Sequence, residues 1–231
     1  ATMNELLTKG IGHTEFKDTE LGRIPKSWEV VRFSDVLNGI DAGWSPLCIE
    51  MPPDGNQWGV LKISAVTKGV FLELESKTLP PNEYPRLDLA VQKGDILLTR
   101  ANGNADLVGK CVRVLRKPSR NLMLSDKILR LLPNEKATSG FLLAAFNSEI
   151  TRKQIELCWG GSSGQKNIGQ NDIKSFKLAL PPVDEQSAID LSLTSIDDSL
   201  QTLALKLAQT QTIKKSLMQD LLTGKVRVQV N

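Results

Sequence analysis

The sequence has few of the residues from which metal and redox sites are usually built. Its 231 residues include one histidine, His13, and three widely separated cysteines, Cys48, Cys111 and Cys158. No Cys-x-x-Cys pair and no Cys/His spacing suited to zinc occurs. We therefore expect no metal site and no cofactor, and we expect buried thiols in a reducing compartment.

Long apolar runs and a strong net charge are also lacking. No stretch approaches the roughly 20 apolar residues of a membrane helix, and the first residues are polar, so neither a membrane span nor a signal peptide is predicted. We expect a cytoplasmic protein. The formal net charge of +3 permits a nucleic-acid partner without requiring one. A hydrophobic fraction of 40% predicts one substantial domain with an appended element.

The segment before the long helix divides into a connector and a domain. Residues 1–25 are polar and contain several glycines, which predicts a short helical turn followed by an extended connector. Residues 26–182 contain short apolar runs broken by Gly, Pro, Asn and Asp, and these predict strands at 60–63, 94–99, 111–115 and 128–132. One helix capped by Ser139 is predicted over 140–157, then a loop over 160–164 and a short strand ending at Leu180. The predicted fold class is mixed α+β.

Residues 183–224 differ from everything before them. Apolar residues alternate at four-three spacing, with Thr210 and Lys214 continuing the register, which is typical of a coiled-coil helix. The predicted seam consists of Ile189, Leu193, Ile196, Leu200, Leu203, Leu207, Leu217 and Leu221. Asp184 is the predicted cap, Gly224 is the stop signal, and 225–231 form a tail. A helix of about 38 residues spans roughly 57 Å, too long to bury its stripe on this domain, so it needs a partner helix.

The charges of this helix indicate the direction of that partner. Acidic residues lie in its first half and basic ones in its second, which suits the helix dipole and also an antiparallel copy of the same helix. In addition, Met3–Gly10 reads MNELLTKG and echoes MQDLLTGK at 218–225. The echo indicates a chain that opens with the end of the helix type with which it closes, as in a unit of a cyclic repeat; chance similarity of short leucine-rich strings is the alternative.

Several motifs, in order, resemble the specificity subunit of type I restriction enzymes. WGVLKISAVT, GDILLTRAN, LVGK and LSDKILR are similar to stretches of its target-recognition domains, at 58–67, 94–102, 107–110 and 124–130. GQKNI, the pair Asp172-Ile173 and LPPVDEQ resemble its junction between domain and helix, at 164–168 and 180–186. LTKGIGHTEF and GRIPKSW resemble the link into a recognition domain, at 7–16 and 22–28. The resemblance covers essentially the whole chain.

The resemblance implies a non-catalytic reader of double-stranded DNA that works with methyltransferase and restriction subunits. The family usually carries two recognition domains separated by two helices, each domain reading half of a split target. This sequence has one domain and one helix, which implies a half-subunit that pairs with itself. Two identical domains related by a two-fold axis would read a split palindrome.

Arg100 is the sharpest candidate for base reading. It stands where a predicted strand meets an Asn/Gly loop containing Asn102 and Asn104, and Arg and Asn are the types that pair bidentately with guanine and adenine. A plain turn with left-handed Asn residues is the alternative. Arg100 and Lys110 also lie in a basic stretch, 97–120, which predicts a phosphate-binding face or, alternatively, a solvated strand edge.

Three further places supply candidates for DNA contact. Trp44 and Ser45 occupy a flexible loop, although a loop tryptophan often covers the edge of a core. Lys62 and Ser64 are predicted to alternate on one face of a strand. Lys166 follows the glycine loop and is predicted to contact phosphate, whereas its neighbours Gln165 and Asn167 are expected to tie that loop to the helix junction.

Two other functional classes compete with DNA reading. Asp54, Glu75 and Lys77, with 71–75 as a strand, formally spell a metal-dependent nuclease site, although so short a pattern often arises by chance. No glycine-rich cofactor loop after a strand and no Asn/Asp-Pro-Pro-aromatic motif supports methyl transfer. We expect no catalytic residues. The remaining alternative is an interaction module whose helix only dimerises or docks a partner.

Overall fold

The computed structural model describes residues 3–158 and 166–223, and two compact units meet between Asp190 and Leu191. The predicted 160–164 loop, Gln165, the Gly224 stop and the 225–231 tail lie outside the described residues. Helix and strand are mixed in the first unit, so the predicted α+β class is confirmed. Within the described ranges, no helix combines the length and apolar composition that a membrane span requires.

The N-terminal segment contains more structure than the predicted connector. Helix α1 (Met3–Lys9) is followed by a hairpin of strands β1 (Phe16–Thr19) and β2 (Gly22–Pro25), paired from Phe16↔Pro25 to Thr19↔Gly22. Leu6 and Leu7 of α1 are buried. The predicted extended connector is therefore only part of what is found. The glycine-containing stretch folds back as a hairpin and belongs to the first unit.

Two sheets enclose the main core of the first unit. The larger has the antiparallel order β4 (Leu37–Ala42), β11 (Ile128–Pro133), β7 (Ile96–Thr99) and β9 (Cys111–Arg113). The smaller has β10 (Asn121–Met123) parallel to β5 (Trp58–Leu61), which is antiparallel to β6 (Ser76–Thr78). Their inward side chains share one core, whose members include Val60, Leu97, Val112, Leu122 and Ile128. All four predicted strand regions contain a strand, with bounds that differ from the prediction by one or two residues.

Two-stranded pairings bring distant parts of the chain together. Strand β3 (Glu29–Arg32) leads into α2 (Phe33–Val36) and pairs with β13 (Lys177–Leu180), the predicted short strand before the long helix. Strand β8 (Ala101–Asn102) pairs with β12 (Lys166–Asn167), which precedes α5 (Gln170–Ser175). The second of these pairings positions candidate functional residues.

The predicted single helix over 140–157 is two helices, α3 (Ser139–Phe146) and α4 (Glu149–Leu157). Asn147 breaks them, because its side chain accepts from the Cys111 amide at 3.2 Å and donates to the Cys111 carbonyl at 2.9 Å. Ser148 then caps α4. The predicted cap at Ser139 is also wrong, since Thr138 accepts from the Phe141 amide and Ser139 is already helical.

The long helix is present as α6 (Val183–Leu222), whose 40 residues correspond to about 60 Å. It begins one residue before the predicted cap, so Asp184 lies in the first turn. A carboxylate at this end of a helix interacts favourably with the helix dipole. Its first two turns belong to the first unit and the remainder to the second.

Candidate functional site

Trp44 and Ser45 are held against the segment that follows strand β10. The Trp44 amide donates to the Leu124 carbonyl at 3.2 Å, and its half-buried ring packs against the core. The Ser45 hydroxyl donates to Asp126 Oδ1 at 2.6 Å and accepts from the Asp126 amide at 3.1 Å. Gly43 permits this approach, because a Cβ there would lie 2.3 Å from the Leu124 and Ser125 backbone.

Arg100 and Lys166 are brought together by the β8–β12 pairing. Asn102 pairs with Lys166 in that ladder, and Ala101 pairs with Asn167. The Arg100 carbonyl accepts from the Ile168 amide at 3.0 Å, while its side-chain Nε donates to Asn167 Oδ1 at 3.3 Å. Asn167 therefore ties its segment to Arg100 rather than to the helix junction that the sequence suggested.

The segment Asp126–Lys127 joins these two groups of residues. The Arg100 amide donates to the Lys127 carbonyl at 2.8 Å, and Lys127 Nζ lies 3.2 Å from Asp126 Oδ2. Partial burial would raise the pKa of the Asp126 carboxyl, but the Ser45 hydroxyl, Lys127 and Arg100 outweigh it and lower the pKa. We call this set the loop surface: Trp44, Ser45, Arg100, Asn102, Asp126, Lys127, Lys166 and Asn167.

Asn102 and Asn104 use their carbonyl oxygens inside their own loop. Asn102 Oδ1 accepts from the Asn104 amide at 2.9 Å, and Asn104 Oδ1 accepts from the Asp106 amide at 3.0 Å. Neither residue has a positive φ, so the alternative of left-handed asparagines is wrong. These turns fix the loop, while the amide NH2 group and the second lone pair of each Oδ1 can still contact a base.

Lys62, Ser64 and Lys110 are placed differently from the other candidates. Lys62 and Ser64 do not alternate on a strand, because β5 ends at Leu61 and residues 63–65 form a 3-10 helix. Lys62 pairs with Glu50 at 3.4 Å, and the Ser64 hydroxyl donates to Glu75. Lys110 is exposed, and its carbonyl accepts from the amide of Thr99, the residue before Arg100.

The basic stretch 97–120 is not one phosphate-binding face, because the fold uses two of its cations internally. Arg113 pairs with Asp190 of α6 at 3.2 Å. Arg120 Nε donates to the Pro53 carbonyl at 3.0 Å, and Arg120 Nη1 lies 3.8 Å from Glu73. Both guanidinium groups therefore hold the fold together, rather than forming the phosphate-binding face that their positions in the sequence suggested.

The nuclease candidates each make unrelated local contacts. The backbone and side chain of Asp54 form a turn with Gly55 and Gln57, Glu75 accepts from Ser64, and Lys77 pairs with Glu50. Residues 71–75 are not a strand; β6 begins at Ser76. Across 3–158 and 166–223, no group of three or more His, Cys, Asp or Glu side chains is arranged to hold a metal ion.

Glu185 and Gln186 fasten the start of α6 to three parts of the first unit. Glu185 accepts from the Trp28 indole at 2.9 Å and from the Ile11 amide at 3.0 Å, and His13 Nε2 lies 2.8 Å from it. Fully buried Gln186 accepts from the Thr138 amide at 2.8 Å and donates to the carbonyls of Lys136 and Pro181. We call these contacts the junction. They join the motifs at 7–16 and 22–28 to the motif at 180–186, which is far away in the sequence.

The predicted helix seam is exposed along most of its length. Leu200, Leu203, Leu207 and Leu217 are 53–61% exposed, with Ile196 and Leu221 above 40%. Leu193 is half-buried. Ile189 is 0% exposed, so its assignment to dimerisation is wrong: it lies in the first unit, where α6 packs on the domain. The remaining seven residues are called the seam below.

Sequence reasoning missed two cations: Lys127 of the loop surface, and Arg86, which stacks on Trp44 of that surface. Lys127 lies within a motif used above only for the resemblance. The Arg86 guanidinium lies 4.3 Å from the centroid of the Trp44 ring. No local sequence pattern identifies Arg86, because its position depends on the ring of Trp44, which is distant in sequence.

Comparison with known proteins agrees with this architecture. The family model for the type I restriction modification DNA specificity domain matches residues 25–214. The type I restriction enzyme EcoEI specificity subunit of Escherichia coli is 36% identical over 175 residues, 74% of this chain and 28% of that subunit. The MjaVIII specificity subunit of Methanocaldococcus jannaschii is 32% identical over 238 residues, 98% of this chain and 53% of that subunit. This chain belongs to the type I restriction modification DNA specificity domain family.

Solved structures show the same fold. An HsdS subunit from Thermoanaerobacter tengcongensis has a TM-score of 0.55 at 21% identity, over 90% of this chain and 46% of that one. A chain from work on assembly of the type I R-M system has a TM-score of 0.58 at 20% identity, over 87% and 46%. The chain therefore spans about half the length of the solved relatives and 28% to 53% of the two curated ones.

Proposed function

We propose that this chain is a DNA sequence-recognition subunit of a type I restriction–modification system and reads one half of a split target. One observation carries the proposal: the fold gathers Ser45, Arg100, Lys127 and Lys166 from four separate segments onto one loop surface. Cations contact phosphates, while Arg and Asn side chains read base edges. Family membership supports this function, and the chain itself performs no chemistry in the proposal.

The proposed partners are double-stranded DNA and the methyltransferase and restriction subunits. Two relatives carry the name type I restriction enzyme specificity subunit, which supports the assignment of cutting and methylation to other chains. The junction offers a rigid base for such docking, since Glu185 and Gln186 fix the start of the helix to the recognition unit.

A gel shift over a range of salt concentrations tests the DNA-reading proposal. We expect a sequence-selective shift that weakens as salt rises, because phosphate contacts release counterions. The measurement uses the chain with and without the methyltransferase subunit, and targets come from methylome sequencing of a host that expresses both. Absence of a selective shift in both mixtures would refute the proposal.

We further propose that the seam pairs with the seam of a second, antiparallel copy. The exposed leucines support this pairing, because so long an apolar stripe is unfavourable in water. The acidic first half of one helix, with the exposed Asp184 and Asp198, would then lie beside the basic end of the other, with Lys214 and Lys215. Two identical reading units related by a two-fold axis would recognise a split palindrome.

The length of this helix pair would set the spacer between the half-sites. Inserting four residues near Leu203 lengthens a helix by about 6 Å, or about one to two base pairs of DNA. We expect the required spacer in the methylome motif to grow by that amount. The same four residues appended after Asn231 are the control, and an unchanged spacer after the internal insertion would contradict the ruler.

A further inference from the structure

Arg86 presents an exposed guanidinium that is stacked on an aromatic ring. Its Cζ lies 4.3 Å from the centroid of the Trp44 ring, and that ring in turn packs on the main core. Stacking on a ring restrains the plane of a guanidinium while its N–H groups, which project from the edge, stay available. Among residues 3–158 and 166–223, no group accepts a hydrogen bond from the Arg86 guanidinium, so the ring holds this side chain while its donors stay available.

The backbone beneath this stack is fixed from both sides. The Arg86 amide donates to Met123 Sδ at 3.0 Å, and its carbonyl accepts from the Leu89 amide at 3.0 Å. Leu124 joins the two segments, since its amide donates to the Leu89 carbonyl and its carbonyl accepts from the Trp44 amide. Ring and guanidinium are therefore carried on one hydrogen-bonded framework.

Arg130 strengthens that framework from below. It is only 8% exposed, and it binds Asp41, which precedes the Trp44 loop, as well as the carbonyls of Asp88 and Ala90, which follow Arg86. Burial alone would lower the pKa of the Arg130 guanidinium, but the carboxylates of Asp41 and Asp95 outweigh burial and raise it. One buried cation thus fastens both segments of the stack.

Three arginines of the first unit are used differently. Arg113, Arg120 and Arg130 each have a carboxylate within 4.0 Å. Within the described ranges, no carboxylate lies that close to the Arg86 guanidinium, which contacts the Trp44 ring instead. A guanidinium that is exposed, has no carboxylate beside it and is held in a fixed position is suited to binding a ligand rather than to stabilising the fold.

We propose that Arg86 is a base-reading residue that contacts the major-groove edge of a guanine, with Trp44 as its positioning residue. The inference rests on the proposed function. Guanine offers O6 and N7 as two acceptors, which match two donors on one edge of a guanidinium. Trp44 is adjacent to Ser45 of the loop surface, so Arg86 extends that surface beyond Arg100. Trp44 itself then acts by orienting Arg86 rather than by touching DNA.

The test compares recognition motifs of variants, each assembled with the methyltransferase subunit and selected on a randomised duplex pool. Arg86→Ala is expected to lose the preference for guanine at one position and to bind the wild-type target about 5- to 150-fold more weakly. Trp44→Leu keeps an apolar side chain in place but removes the aromatic face, and it is expected to relax the same position.

Arg23→Ala is the matched control. Arg23 is also an exposed arginine over an aromatic ring, 5.4 Å from the centroid of Phe16, but it lies on the β1–β2 hairpin. We expect this variant to keep the full motif. Arg86→Lys separates the two kinds of DNA contact, since a lysine retains a phosphate contact but not the stacked, bidentate fork.

The outcomes are distinct. If the wild type selects a motif and Arg86→Ala keeps every guanine of it, the base-reading role is overturned while the proposed function stands. The role is equally overturned if Arg86→Ala weakens all sequences alike and Arg86→Lys restores binding, because that is phosphate behaviour. If the wild type selects no motif at all, the proposed function and the role of Arg86 both fail.

Discussion

The core of the first unit and the stripe along the second differ in the exposure of their leucines. In the first unit, Leu61, Leu97 and Leu98 are at most 2% exposed, and even the buried polar Gln186 has hydrogen-bond partners. In the second, Leu200, Leu203 and Leu207 of the seam are 58–61% exposed on a single helix. The first unit encloses a core of its own, whereas the second carries a regular apolar stripe that stays exposed on the single chain. The spacing of apolar residues along a helix does not reveal whether the surface that covers them belongs to the same chain.

Breaking the seam is the change with the largest expected effect. Leu203→Lys with Leu207→Lys should dissociate the proposed dimer, because each buried leucine contributes about 1.5–3 kcal/mol and a symmetric interface loses every contact twice. We expect the dissociation constant to rise at least about 100-fold, with an unchanged melting temperature for the first unit. Sedimentation over a range of concentrations measures the first quantity and thermal melting the second.

Leu191→Lys is the control for the seam. Leu191 is 73% exposed on the same helix but lies off the four-three register. It should leave the dimer intact. A wild-type chain that stays monomeric at micromolar concentration, or a control as disruptive as the seam variant, would show that the stripe does not mediate self-association.

The junction tests the opposite half of the comparison. Glu185→Ala removes the acceptor shared by Trp28, Ile11 and His13 and leaves the buried indole of Trp28 without a partner, which should destabilise the first unit by about 2–4 kcal/mol. Chemical denaturation followed by tryptophan fluorescence measures this loss. The adjacent, exposed Asp184 is the matched control, since Asp184→Ala should cost less than about 1 kcal/mol through the helix dipole. Equal losses for both variants would contradict a specific junction.

Arg100 tests whether the loop surface reads bases. Arg100→Ala should weaken binding to the wild-type target by about 1–3 kcal/mol and relax one position of the motif, without changing oligomeric state. Binding to duplexes with single base changes provides the measurement. Arg116→Ala removes an exposed arginine of the same basic stretch and serves as control. An Arg100 variant that retains full base preference would remove this residue from the reading surface.

Thiol labelling gives the smallest effect and tests the packing of the first unit. Cys111 is buried, and burial raises the pKa of its thiol, so it should react only on unfolding. Cys158 is exposed, although desolvation, followed by the charge of Asp172, raises its pKa. Because the thiolate is the reacting species and the pKa of Cys158 is raised, its labelling should keep accelerating as pH rises above 9.0, the ordinary value for a thiol.

Mass spectrometry of the labelled chain distinguishes these cysteines, and Cys158→Ser should remove the fastest site. Rapid labelling of Cys111 under native conditions would show that the α3–β9 contact made by Asn147 opens readily. Such a result would weaken the contrast between a closed first unit and an open helix.

Local patterns predicted some of the elements but few of their contacts. The strands near Val60, Leu97 and Ile128 and the long helix follow from short apolar runs and from four-three spacing. The break at Asn147 was not predictable, because the side chain leaves the helix to bond with Cys111, a residue that is remote in sequence. Lys62 and Ser64 were misplaced for a related reason: β5 ends as the chain turns toward Glu75.

Part of the loop surface was predicted by residue type and part was not. Arg100 and Asn102 were identified because Arg and Asn beside a strand end are suited to base contact. Their grouping with Ser45 required the Asp126 hydrogen bond, which joins positions 81 residues apart. Arg86 was missed altogether, since nothing near it in sequence distinguishes it from the other surface arginines.

The sequence by itself determined the mixed α+β class, the long helix and the stripe along it, because apolar periodicity acts over neighbouring residues. Only the tertiary structure decided that Ile189 is buried in the domain while Leu193 begins a seam, and that Arg113 serves the fold while Arg86 is presented on Trp44. The physical reason is that burial and pairing depend on which distant segments meet. Those meetings are set by backbone hydrogen bonds and close packing that no local pattern records.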